Sequence, residues 1–238
     1  MILAFDTFKP YTFVDAFRFM ADNPGLMWQK TAEHLQISGE AMGIALLVAI
    51  PLGVFLGHIH RGSFISINLA NIGRALPSLA VIAIGLTIFG LGFLNVMIAL
   101  VILAVPVILT NAYVAIDGVD SDITEAARGM GMTGLQTLWR VELPVGLPLL
   151  FAGMRTAALY VVATTTLAAF AGANGGLGDV ISNQASYRFV GVVTASLLIS
   201  VLAFAVDGLF ALLQRYATPR SLRGRGGIEA KGSVLEAT

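Results

Sequence analysis

Residues 117–144, DGVDSDITEAARGMGMTGLQTLWRVELP, form a polar stretch between two long apolar segments of this chain. No Asp, Glu, Lys or Arg occurs between Arg74 and Asp117. An uncharged run of that length is enough for two membrane-spanning helices of about 20 residues each. The polar stretch is therefore predicted to be a loop at one membrane face. Its order of acidic, small and glycine residues favours a short docking helix over a catalytic site.

The overall composition also indicates an integral membrane protein. Hydrophobic residues make up 57% of the chain and charged residues 12%, and the mean hydropathy is +0.84. Soluble domains contain about 25% charged residues. The net charge of zero argues against nucleic acid as a partner. Because cysteine is absent, the chain has no disulfide framework and no thiolate site. Cysteine usage therefore does not indicate the redox compartment of the protein.

Apolar patterning predicts an all-α membrane protein with five transmembrane helices. The predicted spans are residues 35–59, 76–91, 93–114, 144–169 and 189–213. They belong to a transmembrane domain, residues 34–216, that contains the loop 117–143. Residues 1–33 mix aromatic and charged side chains and are predicted to lie at the membrane interface, with Trp28 at headgroup depth. This segment lacks the pattern of a cleaved signal peptide. A flexible basic cytoplasmic tail is predicted for residues 217–238.

The distribution of Lys and Arg predicts the orientation, because cytoplasmic loops carry an excess of these residues. Basic residues on the side of the polar loop are Arg61, Arg128, Arg140, Arg215, Arg220, Arg223 and Arg225. Those on the other side are Lys9, Arg18, Lys30 and Arg188. The first set is denser near the membrane. The loop and the tail are therefore predicted to be cytoplasmic, and the N-terminus is predicted to lie outside.

The loop contains the signals of an amphipathic helix. Asp122 and Glu125 have the spacing of a capping box, with Ser121 as an alternative cap. Apolar positions recur near helical spacing at Ala126, Ala127, Met130, Leu135 and Leu138. Such a face in a water-exposed loop requires a partner. The alternative is a helix that lies on the surface of its own membrane.

Two glycine patterns resemble nucleotide-binding motifs. Residues 129–134, GMGMTG, fit G-x-G-x-x-G, but that pattern binds dinucleotides only between a strand and a helix of a βαβ unit. Residues 175–178, GGLG, lack the Gly-Lys-Ser/Thr ending of a phosphate-binding loop. No cofactor site is therefore predicted, and ATP hydrolysis would require another subunit.

Glycine pairs in the first predicted span have the spacing of close helix contacts. They are Gly39-x-x-x-Gly43 and Gly53-x-x-x-Gly57, and both would let a neighbouring helix approach closely. The alternative is that these residues only reflect the general frequency of glycine in membrane helices.

Ionisable residues within the spans suggest one ion pair and no metal site. Arg155 and Asp207 lie in the fourth and fifth spans, and intramembrane charges usually face a bundle interior or an aqueous path. An Arg155–Asp207 pair is predicted, with a pathway-lining or snorkelling Arg155 as the alternative. His58 and His60 cannot chelate one ion from a helix, because residues two apart point about 200° apart. They are interpreted as positive charge at a span end. No catalytic site is predicted.

The loop resembles the EAA loop of permease subunits in ATP-binding-cassette (ABC) importers. The matching residues are Glu125, Ala126, Ala127, Gly131, Val141, Leu143 and Pro144, with Val141 where Ile is usual. The resemblance implies a MetI-like type I ABC importer permease fold, in which this loop is a cytoplasmic coupling helix that docks into the ATPase subunit. It also implies that Glu125 and Ala126 line the docking surface, that Gly131 permits a bend and that Pro144 begins the fourth span.

Over residues 28–213 the chain is similar to permeases for quaternary-ammonium osmoprotectants such as glycine betaine, choline and carnitine. The motifs that carry this similarity are Arg74-Ala-Leu-Pro77-Ser-Leu, Asn111-Ala-Tyr113, Gly118-Val-Asp120, Gly153-Met-Arg155-Thr-Ala and Gly175-Gly-Leu-Gly-Asp179. The resemblance implies import by alternating access in a bacterial inner membrane. The implied partners are an ATPase subunit, a separate extracytoplasmic binding protein and a second permease, identical or similar.

Three alternatives to this function remain open. The first is a permease of the same fold for an amino acid or a sulfonate. The second is a membrane scaffold with no transport role. The third is a membrane-bound NAD-dependent enzyme, which would need a soluble cofactor domain, and no segment of the chain is long and polar enough to form one.

Overall fold

The computed structural model describes residues 12–64, 68, 71, 73, 76–173 and 175–218, and these residues form helices and connecting turns. In chain order the helices are α1 (Thr12–Asp22), α2 (Pro24–His58), α3 (Ser78–Phe89), α4 (Phe93–Asp117), α5 (Ser121–Gly129), α6 (Gly134–Thr137), α7 (Leu143–Thr165), α8 (Leu177–Ser182) and α9 (Gln184–Ala217). A π-helical turn, Leu138–Glu142, joins α6 to α7. A 3₁₀ turn, Thr166–Ala171, follows α7.

Four of the described helical stretches are long and apolar enough to cross a membrane. They are α2, α4, α9 and the continuous stretch Gly134–Ala171, which contains α7. Helix α3 stands where the second span is predicted but has only 12 residues. At 1.5 Å per residue it is about 18 Å long, which is shorter than a hydrocarbon core of about 30 Å.

The directions of the helices nevertheless require five passages through the bundle. Helices α2 and α4 are parallel, because Gly53 packs against Ala112 and Gly57, one turn later, packs against Ile116. The chain between them, which includes α3, must therefore return to the opposite face. Helix α7 runs antiparallel to both α4 and α9. We call the face that holds residues 117–143 the loop face, and the opposite face the far face.

The buried core lies where α2, α4 and α7 meet, and it consists mainly of small and aliphatic side chains. Among its members are Ala45, Ala49, Leu100, Ile108 and Ala157. Small residues permit the close helix approach on which packing in membranes depends.

The two glycine pairs of α2 have different surroundings. A Cβ atom at Gly53 would lie 2.6 Å from the Cβ atom of Ala112, so this pair is required by contact with α4. A Cβ atom at Gly39 or Gly43 would meet no atom within 4 Å. These two residues line an apolar crevice of about 300 Å³ between α2, α7 and α9. Only the pair Gly53 and Gly57 therefore mediates a helix contact within the described chain.

Helix α2 begins earlier than the first predicted span. It starts at Pro24 and continues to His58, so residues 24–33 of the predicted interfacial segment belong to the same helix as the span. Proline is well tolerated there because the first N–H groups of a helix have no intrahelical partner. The predictions for residues 1–11 and 219–238 fall outside the described residues.

Candidate functional site

Helix α5 opens the polar loop, and its cap differs from the predicted one. The N-cap residue is Asp120, whose side chain accepts a hydrogen bond of 2.9 Å from the Asp122 N–H group. Ser121 is the first helical residue, so the prediction of a cap at Ser121 or Asp122 was wrong. Three consecutive residues here are good N-caps, which is why the sequence did not define the register.

Gly131 turns the chain between α5 and α6. Its φ of +85° lies in the left-handed region that glycine adopts most readily. A Cβ atom at this position would have no atom within 4 Å, so backbone conformation rather than crowding favours glycine. Helix α6 then begins with a capping box formed by Thr133 and Gln136.

The loop exposes large apolar side chains in a polar setting. Met130, Leu135 and Trp139 are 74%, 66% and 62% exposed. Glu125 and Ala126 in α5 are also exposed. Trp139 was not among the predicted residues of this apolar face, although its position four residues after Leu135 places both on one helix face.

Other residues of the matched motif contribute to packing rather than to the exposed surface. Ala127 is buried, so it cannot belong to the exposed apolar face predicted from its spacing. Val141, Leu143 and Pro144 are half-buried. Helical spacing identified Ala127 as apolar, but it did not show which side of α5 faces the protein.

Pro144 lies within a continuous helical stretch rather than at its beginning. Glu142 and Leu143 already have helical backbone angles. A proline ring normally collides with the carbonyl group four residues earlier. The π-helical turn Leu138–Glu142 precedes Pro144, and its i→i+5 hydrogen bonds widen the helix at that point. Within this stretch Pro144 is the second residue of α7, near the start of the span as expected, and a widened turn precedes it.

Two histidines at the end of α2 contact the two ends of the loop. His58 Nδ1 lies 2.6 Å from Glu142 Oε2, and His60 Nδ1 lies 2.8 Å from Asp117 Oδ1. The interpretation of both histidines as span-end charge missed these partners, which are 84 and 57 residues away in sequence. Among the described residues there is no group of His, Cys, Asp and Glu side chains that could hold a metal ion.

Arg155 and Asp207 form a bidentate ion pair between α7 and α9. Arg155 Nε donates to Asp207 Oδ1 at 2.9 Å, and Arg155 Nη2 donates to Asp207 Oδ2 at 2.7 Å. Two parallel bonds of this kind fix the relative orientation of both side chains. The structure therefore places Arg155 against a carboxylate rather than alone on an aqueous path.

The glycine-rich turn lies at the far face and packs on α2. Gly176 has a φ of +55°, and a Cβ atom there would lie 2.6 Å from the backbone nitrogen of His34. Asp179 accepts hydrogen bonds from the Gly175 N–H group at 2.9 Å and from Lys30 Nζ at 2.8 Å. Glycine is required in this turn because neighbouring backbone segments approach it closely. Phosphate binding is not needed to explain these glycines.

Residues 49–219 match the protein family described as the binding-protein-dependent transport system inner membrane component. The chain belongs to this family. The predicted all-α permease fold and the resemblance to ABC importer permeases are thereby confirmed. This protein is a multi-pass permease subunit of an ABC importer.

Several named relatives of this permease are osmoprotectant transport proteins. It is 37% identical to the glycine betaine/carnitine/choline transport system permease protein of Bacillus subtilis (strain 168), over 87% of this chain and 95% of that protein. It is 36% identical to the choline transport system permease protein of the same organism, over 87% and 95%. It is 32% identical to the osmoprotectant import permease protein of Salmonella typhimurium, over 88% and 100%.

Solved structures share the fold of this permease at lower identity. The inward-facing MetNI methionine ABC transporter gives a TM-score of 0.70 with 22% identity, over 82% of this chain and 97% of that chain. An amino acid ABC transporter with histidines gives a TM-score of 0.61 with 19% identity, over 83% and 96%. At this identity the likeness concerns the fold alone.

Proposed function

We propose that this permease imports a quaternary-amine osmoprotectant, namely glycine betaine, choline or carnitine. The observation that carries the proposal is the agreement among relatives that are 32–37% identical over most of the chain, all of which are named for such substrates or for osmoprotectants. The methionine transporter and the amino acid transporter that share the fold are 22% and 19% identical to this chain, so they give less support to an amino acid as cargo.

The loop is the proposed docking site for a separate ATPase subunit. Its exposed apolar side chains, above all Met130, Leu135 and Trp139, have no cover within the described chain, and burial of such side chains is favourable. Glu125 and Ala126 of the same loop are exposed as well. Docking of this surface into a groove of the ATPase would bury it, and movement of the ATPase would then drive alternating access.

The proposed orientation places the loop face in the cytoplasm, where ATP is available. Arg61, Arg128, Arg140 and Arg215 lie near span ends on this face, in agreement with the bias of basic residues toward the cytoplasm. The far face would then receive substrate from an extracytoplasmic binding protein. A second permease, identical or similar, would complete the translocation path in a bacterial inner membrane.

An uptake assay tests the substrate class. The permease would be expressed with its ATPase and binding protein in a bacterium that lacks its own osmoprotectant importers. We expect accumulation of radiolabelled glycine betaine, choline or carnitine, and we expect none when the ATPase carries an inactivating substitution. Methionine, histidine and taurine serve as the comparison substrates. Uptake of methionine, histidine or taurine, without uptake of glycine betaine, choline or carnitine, would overturn the proposed substrate class.

A further inference from the structure

The end of α2 contacts both ends of the loop, and the proposed docking surface does not account for these contacts. Asp117 is the last residue of α4, where the loop begins, and Glu142 ends the π-helical turn, where the loop rejoins the bundle. His60 and His58 reach these two carboxylates from a single helix end. A loop that moved relative to α2 would have to break these contacts.

We propose that His58 and Glu142 are positioning residues that make the first membrane span move together with the coupling loop. The inference rests on the proposed docking of the loop to an ATPase. Movement of the loop would then reach the bundle by three routes: α4, α7 and, through the His58–Glu142 contact, α2. Without the contact, α2 would be connected to the loop only through the exposed His60–Asp117 contact and through its packing on the other helices.

The surroundings of His58 support a contact that fixes position. Its Nδ1 atom faces Glu142, while its Nε2 atom would lie 3.4 Å from a Cβ atom at Gly134, the first residue of α6. The imidazole therefore contacts the loop at two places. One is near Gly134, at the beginning of α6, and the other is at Glu142, at the end of the loop. An N–H group at Nδ1 can donate to the carboxylate whether the ring is neutral or protonated.

The burial of Glu142 makes the contact specific. Its carboxylate is 1% exposed, and Oε1 has no hydrogen-bond partner among the described residues. A buried carboxylate is costly unless it is paired, so the side chain is held where His58 can reach it. A buried pair of this kind indicates that its two side chains are held in one relative position, and it is weak evidence for added stability.

The contact between His60 and Asp117 is weaker than the contact between His58 and Glu142, so the two contacts can be compared within one molecule. The His60 side chain is 52% exposed, and exposed pairs contribute little because water competes for both partners. The backbone of His60 has a φ of +51°, which is uncommon for a residue with a side chain. Hydrogen bonds from His60 N–H to the Gly57 carbonyl oxygen and from Arg61 N–H to the Leu56 carbonyl oxygen hold this conformation.

Helix α2 can carry a displacement into the bundle. Its loop-face half is packed tightly on α4, where Gly53 and Gly57 each bring the backbones close together. Its far-face half packs on the glycine-rich turn at His34, and between these two regions Gly39 and Gly43 line the apolar crevice. A shift imposed at His58 would therefore pass along one continuous helix toward the far face.

The test measures uptake and ATP hydrolysis in the same proteoliposomes, with the complete complex of permease, ATPase and binding protein. We expect His58→Ala to lower the substrate imported per ATP hydrolysed by about tenfold, and His58→Asn, which retains an N–H donor near the position of Nδ1, to restore it to within about threefold. Glu142→Ala should match His58→Ala, and the double variant should be no worse than either.

His60→Ala should have a smaller effect. Arg61→Ala, at an exposed neighbouring position, is the matched control.

A second measurement follows movement directly. The chain contains no cysteine, so Phe55→Cys in α2 and Ser121→Cys in α5 would be the only two labelled sites of each copy of this chain. Addition of ATP to the complex should leave the distance between the labels unchanged with His58 present. It should change that distance in the His58→Ala background, because the loop would then move without α2.

The outcomes separate this inference from the proposed function. Unchanged substrate per ATP in His58→Ala and in Glu142→Ala would overturn the inference while the importer assignment stood. Equal losses in His58→Ala and His58→Asn, accompanied by loss of thermal stability or of the bound ATPase, would also overturn it, since they would indicate a structural role only. A wild-type complex that hydrolysed ATP without importing any tested substrate would instead contradict the proposed function.

Discussion

The turns at the two faces of the permease both depend on glycine, but for different physical reasons. At the loop face Gly131 has a φ of +85° and open space around it. At the far face Gly176 has a φ of +55° and lies against the backbone of His34. The side chains that follow Gly176, Leu177 and Val180, are fully buried. Met130 and Leu135, on the two sides of Gly131, are exposed.

The difference separates an exposed surface, for which we propose an ATPase as partner, from a turn that belongs to the core. The far-face turn is packed on α2 and cannot change shape without disturbing the bundle. The loop-face turn is constrained only by its own backbone conformation and by the ends of the loop. Substitutions at the first should therefore lower stability, and substitutions at the second should lower transport without unfolding the protein.

The largest effect is expected at the far face. Gly176→Ala places a Cβ atom 2.6 Å from the His34 backbone nitrogen and requires a positive φ of an alanine. Overpacking and backbone strain together should lower the free energy of unfolding by about 3 kcal/mol. The thermal unfolding midpoint in detergent and the yield of folded protein would measure this loss.

The matched control for this change is Gly25→Ala. Gly25 lies near the start of α2 at the same face, and a Cβ atom there meets no atom within 4 Å. This variant should unfold at the wild-type temperature. If both variants were equally stable, the far-face turn would not be packed as described.

The next effect is expected at the loop face and concerns transport. Gly131→Trp adds a bulky side chain on the exposed surface, where it would obstruct the docked ATPase. We expect normal membrane insertion with uptake per ATP reduced by about tenfold or more, which corresponds to about 1.4 kcal/mol of coupling free energy. Uptake and ATP hydrolysis by the reconstituted complex would test this prediction.

Gly131→Ala separates bulk from backbone strain. Both substitutions require a positive φ from a residue with a Cβ atom, which costs about 1–2 kcal/mol, but only Trp adds a large side chain. Uptake by the Ala variant should therefore exceed that of the Trp variant. Normal uptake by Gly131→Trp would refute the assignment of the loop as the docking element.

The sequence predicted the loop and the number of passages more accurately than the helix bounds. Charge segregation located residues 117–143, because a polar segment between apolar spans has no other place than a membrane face. The start of α2 at Pro24 was missed, since the polar residues that follow it continue the same helix beyond the apolar span. The short helix α3 was overestimated, because hydropathy reports where apolar residues lie and not where the helix begins.

The candidate site was predicted where one local motif defines it and was missed where distant segments meet. The match of residues 125–144 to the permease loop identified the bend at Gly131, which depends on local backbone conformation. The His58–Glu142 contact joins residues 84 apart, and no periodicity within one segment encodes it. The π-helical turn before Pro144 was also missed, since it follows from the continuity of α6 with α7.

The smallest predicted effect concerns the link between the two faces. Arg155 and Asp207 join α7, which continues from the loop, to α9, which begins beside the far-face turn. If the pair acts as a unit, Arg155→Ala and Asp207→Ala should each lower uptake by about threefold, and the double variant should be no worse. Each single variant leaves one charge without its partner, whereas the double variant leaves none.

The pattern of these losses also tests whether the two faces respond independently. Additive losses in the double variant would show that Arg155 and Asp207 act separately, with Arg155 on the transport path as the alternative. A charge exchange, Arg155→Asp with Asp207→Arg, is a stricter control, because it keeps both charges while reversing their positions. Recovery of uptake in that variant would show that the link between α7 and α9 is what matters. The coupling loop could then affect the far-face turn through α7 without any contact between the two turns themselves.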